Sequence, residues 1–322
     1  MDVGVIGTGV MGRNHVRVYS ELKSVDNVTV YDINTAAASD ISAKTGANFT
    51  ESLDDLFREV DAVSICVPTE YHYEMALKAA DAGVPMLIEK PVCLTSAEAK
   101  ALCEKIPDDL VVGVGHIERF NPIIKEIQRI VKNPIYVEIK RHNPASVRVT
   151  RSSVVEDLMI HDIDIIINNS FFKGSYNLLC SGNTDICGAL FDFGTVPVYL
   201  SASRKASKKI RMIYIEEEDL TIEGDFMAQE VYIHRKPEIY SHSCERYVQE
   251  NVIEKVMVNK VEPLKMELLT FVDCVKEGKK FPITLSEGVR SLLICEEIRQ
   301  KCAEKFEVQQ HSRQCIETPA SI

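Results

Sequence analysis

Short apolar runs and amphipathic stretches alternate along the first third of the chain. The runs Asp2–Ile6, Val28–Asp32, Ala62–Val67, Pro85–Ile88 and Leu110–Gly115 have the near-continuous apolar character of strands buried on both faces. Helical spacing of apolar residues falls between them, as in Tyr71–Ala82 and Ser96–Lys105. That alternation predicts right-handed crossovers and a doubly wound parallel α/β sheet, the architecture of a Rossmann domain.

The pattern changes after Asn121-Pro122. Extended segments now follow one another at Ile135–His142, Tyr176–Ser181, Cys187–Phe193, Val198–Ser203, Ile210–Glu216, Leu220–Glu223 and Glu230–His234. They predict a large, mostly antiparallel sheet. A helix over Val154–Asn169 and two more over Leu264–Glu277 and Ser286–Glu304 make this half α+β. The expected division is residues 1–120, residues 121–308 and a polar, frayed tail over 309–322.

Bulk composition narrows the function. At 322 residues the chain exceeds one ordinary hydrophobic core, in keeping with two domains. A net charge of −11 argues against nucleic acid or an anionic membrane as partner. No run approaches the roughly 18 apolar residues of a membrane span, and no leader is expected ahead of a strand that begins at Asp2. The ten cysteines form no Cys-x-x-Cys pair, which speaks against structural zinc. Several lie in apolar runs, as Cys66 does, and read as buried thiols in a reducing, cytoplasmic setting.

Gly7-Thr8-Gly9-Val10-Met11-Gly12 follows the first strand and opens a helix. Glycines at this spacing allow a tight turn, close approach of the backbone to a pyrophosphate, and close helix–strand packing. Twenty residues beyond Gly12 the second strand ends at Asp32. A carboxylate there accepts from the ribose hydroxyls of NAD and repels the extra phosphate of NADP. NAD is therefore the expected cofactor. The turn Val67-Pro68-Thr69-Glu70-Tyr71-His72 should border the nicotinamide half, with Pro68 and Thr69 as cofactor contacts. His72 is either a contact or a helix-capping or surface residue.

The strand before Glu89-Lys90-Pro91 ends in charge, and open α/β sheets bind ligands beyond their carboxyl ends. A lysine beside a nicotinamide suggests hydride chemistry on a carbon bearing oxygen. Asp157, His161 and Asp164 stand at i, i+4 and i+7, one face of a regular helix. Histidine suits removal of a hydroxyl proton at neutral pH, and an ammonium such as Lys90 would stabilise the alkoxide. A plain surface pair at Asp157 and His161 is the alternative. A metal face lacks a third ligand, so no metal is expected.

Gly7-x-Gly9-x-x-Gly12-x-x-His15, Glu89-Lys90-Pro91 and Asp157-x-x-x-His161, with Glu262-Pro263-Leu264-x-x-Glu267 near the end, together resemble the glucose-fructose oxidoreductase/inositol dehydrogenase (Gfo/Idh/MocA) family. The resemblance implies Lys90, Asp157 and His161 as active-site residues, with Glu89 and Lys90 near the nicotinamide ribose. It also implies a homodimer or homotetramer formed through the open face of the C-terminal sheet. Gly115-His116-Ile117-Glu118-Arg119-Phe120-Asn121-Pro122 is similar to a group within it that oxidises C3 of UDP-linked N-acetylhexosamines. That match puts Arg119 near the cofactor and Asn121 near the substrate. A nucleotide-sugar diphosphate needs cations, and Arg148 and Arg151 are candidates; solvated loop arginines are the alternative. Two other functions stay open: a dehydrogenase of a free polyol such as an inositol, and an NAD-binding regulator without turnover.

Overall fold

The computed structural model describes residues 1–144, 152–168, 172, 174–194, 196–236, 240–243, 246–249 and 251–316. The chain divides into two compact units. The first takes Met1–Phe120 and Val261–Leu293; the second takes Asn121–Lys260 and the chain from Ile294 onward.

The first unit holds a parallel sheet in the order β3-β2-β1-β4-β5-β6. Its strands are β1 (Asp2–Ile6), β2 (Asn27–Tyr31), β3 (Asn48–Thr50), β4 (Ala62–Ile65), β5 (Met86–Glu89) and β6 (Val112–Gly115). The central strands β4 and β5 are buried at every position, which is why their sequences run apolar without alternation. Helices α1 (Val10–Glu21), α2 (Thr35–Thr45), α3 (Leu53–Glu59), α4 (His72–Asp81) and α5 (Ser96–Lys105) connect them. Thr95 and Glu98 form a reciprocal capping box at the start of α5, satisfying amides that the first helical turn leaves open.

The expected domain over 121–308 is corrected by residues 261–293, which belong to the first unit. Helix α8 (Pro263–Glu277) places Leu264, Leu268, Phe271 and Val272 in the same core as the parallel strands. The Phe281 ring centroid lies 5.9 Å from that of Phe120, in a tilted pair, and 6.0 Å from that of Phe271, edge to face. It lies so close to β6 that a Cβ on Gly113 would come within 2.4 Å of it. Residues 261–293 thus supply apolar cover for the parallel sheet. Phe271 and Phe281 each contribute about 1.5–3 kcal/mol by burial.

In the second unit, α6 (Pro122–Ile130) is followed by β7 (Tyr136–His142), then a π-helical turn (Val155–Met159) and α7 (Ile160–Asn168). Six more strands follow: β8 (Asn177–Gly182), β9 (Ile186–Asp192), β10 (Pro197–Ser203), β11 (Ile210–Glu216), β12 (Leu220–Asp225) and β13 (Glu230–Arg235). A separate ladder pairs β14 (Tyr240–Ser243) with β15 (Arg246–Gln249), and β16 (Val252–Val256) completes the large sheet. The eight-stranded order is β16-β13-β12-β11-β7-β10-β9-β8. It is antiparallel except where β7 and β10 run parallel. Burial alternates with period two. One face packs on Ile123, Ile127, Leu158 and Ile163. Across the other face runs the row Leu179, Leu190, Tyr199, Glu138, Tyr214, Glu223, Tyr232 and Lys255, in register from strand to strand.

Helix α9 spans Leu285–Ile316, so the tail expected to fray from residue 309 is helical as far as 316. Among the described residues no helix is long and apolar enough to cross a membrane. The described cysteines are free thiols, with Cys66, Cys93, Cys180, Cys187 and Cys295 buried.

Candidate active site

Strands β1 and β4 are neighbours at the centre of the parallel sheet, where the order of connection reverses. A crevice beyond the carboxyl ends at such a point is where open α/β sheets bind ligands. Gly7 adopts a φ of +94°, and a Cβ there would strike the Cys66 carbonyl and the Val67 amide. Gly12 packs on the turn so closely that a Cβ would lie 1.9 Å from the Gly7 oxygen. Gly9 differs: a Cβ there meets no atom within 4 Å. It caps α1, which has neither a side-chain cap nor an acidic residue in its first turn. The amides beside Val10 and Met11 are left to an anion, and the missing side chain leaves the approach open. The residues fit a dinucleotide pyrophosphate.

Asp32 is fixed on the same turn. Its Oδ2 accepts from the Thr8 amide at 2.7 Å and the Thr8 hydroxyl at 2.6 Å, and its Oδ1 accepts from the Asn34 amide at 2.9 Å. Burial would raise the carboxyl, but these bonds outweigh it and hold Asp32 below the usual aspartate range. It is therefore ionised at neutral pH, as a ribose acceptor must be.

Pro68 and Thr69 open a 3-10 turn (Thr69–Tyr71) directly after β4. His72 is buried rather than superficial. Its Nδ1 lies 2.8 Å from the Pro91 carbonyl oxygen and its Nε2 2.9 Å from that of Val67. The ring thus spans the loops after β4 and β5. Burial lowers its pKa despite both carbonyls.

Glu89 ends β5, next to β4 in the sheet. Its Oε1 lies 2.9 Å from His15 Nε2, in a pair almost wholly withdrawn from solvent. Its Oε2 accepts from the Lys90 amide at 3.2 Å. Burial alone would raise Glu89; the His15 hydrogen bond and the charges of His15 and Lys90 reverse that and lower it. Lys90 is half-buried, and the Lys90–Pro91 peptide is cis.

Arg119 pairs with Glu287 at 3.0 Å, within the first unit. In the second unit Asn121 is buried. It accepts from the Ile123 amide and donates to the Phe226 carbonyl at 3.0 Å, capping α6 and tying its start to the residue that follows β12. Asp157 and His161 are both half-buried. The π-helical winding over Val155–Met159 interrupts the regular helix on which the i, i+4 spacing was read. π-bulges recur at functional sites because they re-aim side chains. Asp164 is buried and accepts from Asn168 Nδ2 at 2.9 Å, so it turns inward. Asp162 is buried in an ion pair with Arg141. Arg148 and Arg151 lie outside the described residues.

His15 and Glu267 were named in the sequence only as parts of a motif. Their burial beside Glu89 had no signal beyond the glycine-to-histidine spacing and a lone acid on an apolar helix face.

Strand order, glycine turn and strand-end aspartate define a dinucleotide-binding unit of the Rossmann class. Residues 1–116 match GFO_IDH_MocA, the oxidoreductase family with an NAD-binding Rossmann fold. Among curated proteins it is 38% identical over 169 residues to the UDP-N-acetylglucosamine 3-dehydrogenase of Acidithiobacillus ferrooxidans. That match covers 52% of this chain and 53% of the relative. An inositol 2-dehydrogenase of Corynebacterium glutamicum is 28% identical over 178 residues, 52% of this chain and 53% of the other. The chain thus spans about half the length of these curated relatives. A solved structure of a UDP-N-acetylglucosamine 3-dehydrogenase from Acidithiobacillus ferrooxidans is similar over 94% of this chain and 97% of that one. Its TM-score is 0.83 at 28% identity.

Proposed function

We propose that the protein oxidises a secondary hydroxyl, at C3, of a UDP-N-acetylhexosamine to the 3-keto sugar nucleotide. The observation that carries this reading is the position of Lys90. It follows the carboxyl end of β5, and β5 lies beside β4 and two strands from β1, which leads into the NAD turn. Bound NAD, held by the glycine turn and Asp32, would supply the acceptor for the hydride that leaves the sugar carbon. His161 takes the hydroxyl proton, Lys90 polarises that oxygen, and Asp157 orients the substrate or the imidazole. General-base assistance of this kind contributes about 10²–10⁴-fold. The likeness to the UDP-N-acetylglucosamine 3-dehydrogenase supports the nucleotide sugar, and Arg148 and Arg151 are assigned to its diphosphate. The likeness to inositol 2-dehydrogenase keeps a free polyol as the second reading.

The open face of the large sheet, with its tyrosine row, is assigned to a homodimer or homotetramer, and the free thiols suit the cytoplasm. The test is NADH formation with UDP-N-acetylglucosamine, UDP-N-acetylgalactosamine and myo-inositol as separate substrates. Turnover of a UDP-sugar is expected, and its loss in Lys90→Ala and His161→Ala with NAD binding retained. Activity on inositol alone would replace the substrate assignment. NAD binding with no turnover on any of the three would favour a regulator.

A further inference from the structure

One buried acid of the first unit has no part in the chemistry above. Glu267, on α8, is 0% exposed, and neither of its carboxyl oxygens has a hydrogen-bond partner among the described residues. It sits between Leu264, Leu268 and Phe271 on the helix that packs against α1. Helix α1 carries His15 and Tyr19 on its buried side. The His15 ring is bound to Glu89 on one nitrogen only; its Nδ1 is buried without a partner among the described residues. Tyr19 is occupied by Ser64, at 2.8 Å. Two acids and an imidazole from α1, β5 and α8 therefore share one dry interior, just behind Lys90.

Such an interior does not hold two free carboxylates. Desolvation penalises each charge, and the second repels the first, so one acid keeps its proton. Glu89 has the hydrogen bonds of an anion, from His15 and from the Lys90 amide. Glu267 has none, and burial followed by the charge of Glu89 pushes its carboxyl up. The other titratable groups in this field are Tyr19 and Cys66, both raised by burial and hence neutral, and His72, lowered by burial.

We propose that Glu267, His15 and Glu89 form a buried positioning set behind Lys90. Glu267 serves as a neutral acid that leaves Glu89 the single carboxylate aligned on His15 and on the Lys90 main chain. With both acids ionised, repulsion would drive Glu89 off His15 and alter the field at the Lys90 ammonium. The inference rests on the role proposed above for Lys90.

The test compares Glu267→Gln and Glu267→Met, both neutral at every pH, with Glu89→Gln, which removes the carboxylate. Labelling of Lys90 by acetic anhydride, followed against pH by peptide mass spectrometry, needs no substrate. Glu89→Gln is expected to shift the Lys90 labelling curve to lower pH, because it removes the carboxylate beside Lys90; Glu267→Gln and Glu267→Met, each exchanging one neutral group for another, are expected to leave it in place. In the wild type, a folded-state pKa above the unfolded value makes this acid cost stability once pH exceeds about 4.5, the ordinary glutamate value. The melting temperature of Glu267→Gln should therefore rise relative to wild type between pH 4.5 and pH 8. A displaced labelling curve in Glu267→Met, an unmoved one in Glu89→Gln, or a melting difference independent of pH in Glu267→Gln overturns the proposal. Absence of wild-type turnover on every substrate tested is a separate result. It removes the assigned reaction and leaves both substrate-free readouts to decide this set.

Discussion

Asp32 takes two hydrogen bonds from one residue: the amide and the hydroxyl of Thr8 both donate to its Oδ2. The ribose-binding carboxylate is thus locked to the phosphate-binding turn before any cofactor arrives. Thr8→Val removes the hydroxyl donor but keeps the shape. A bond to a charged acceptor is worth about 1.5–3 kcal/mol, so the NAD dissociation constant should rise about tenfold or more. Asp32→Asn should weaken NAD and narrow its preference over NADP. Titration of both cofactors by protein fluorescence reads this; an unchanged NAD/NADP ratio in Asp32→Asn would remove Asp32 from the ribose site.

The glycines of the turn separate stability from binding. Gly9→Ala adds a methyl that meets no protein atom, so the melting temperature should stay near wild type while NAD binding is lost. Gly12→Ala forces a carbon to 1.9 Å from the Gly7 oxygen and should lower the melting temperature as well. Calorimetry of both variants with and without NAD distinguishes the two effects. Normal NAD affinity in Gly9→Ala would contradict the pyrophosphate assignment.

His72 should make the first unit acid-sensitive. Burial lowers its folded-state pKa below the ordinary 6.5. Its contribution is thus fully present above pH 6.5 and is lost as pH falls toward the folded-state value, because the unfolded chain takes up the proton first. The wild-type melting temperature should fall more steeply between pH 7 and pH 5 than that of His72→Gln. Parallel curves would mean that the ring does not titrate with unfolding.

Arg141 and Asp162 carry the most exposed prediction for the second unit. Both side chains are 1% accessible, and Arg141 donates to Asp162 through Nε and Nη2 while its guanidinium lies 5.2 Å from the Phe226 ring centroid. Asp162→Ala leaves a buried cation unpaired, which costs about 3–5 kcal/mol. Urea unfolding should show that loss, with much of it recovered in Arg141→Met/Asp162→Leu. An Asp162→Ala midpoint equal to wild type would show that the pair is not stabilising.

Continuous apolar strands and the glycine turn made the parallel sheet readable, because burial on both faces and backbone approach each demand particular residues. The antiparallel strands β7 to β13 were readable for the matching reason, their two-residue alternation. Helix α6 escaped, although Asn121-Pro122 is an N-cap followed by a first-turn proline; the pair also reads as a chain break. Short β3 offered three residues and little apolar signal. The π-helical turn at Asp157 was invisible because residue spacing assumes a regular helix. The Glu89–His15 pair joins residues 74 apart in sequence, and nothing local announces such a partner. The return of α8 to the first core was missed for the same reason: amphipathic spacing shows that a helix has a buried face, not which core receives it.

That return sets an order on synthesis. The apolar bed offered by α1 and the end of β6 is complete only when Leu264, Phe271 and Phe281 have been made. The parallel sheet starts first at the ribosome, yet its last packing partners arrive after the whole large antiparallel sheet has emerged. Truncation after Phe120 would consequently yield an aggregation-prone fragment rather than an independent NAD-binding module, because surface that α8 covers would stay open to other chains.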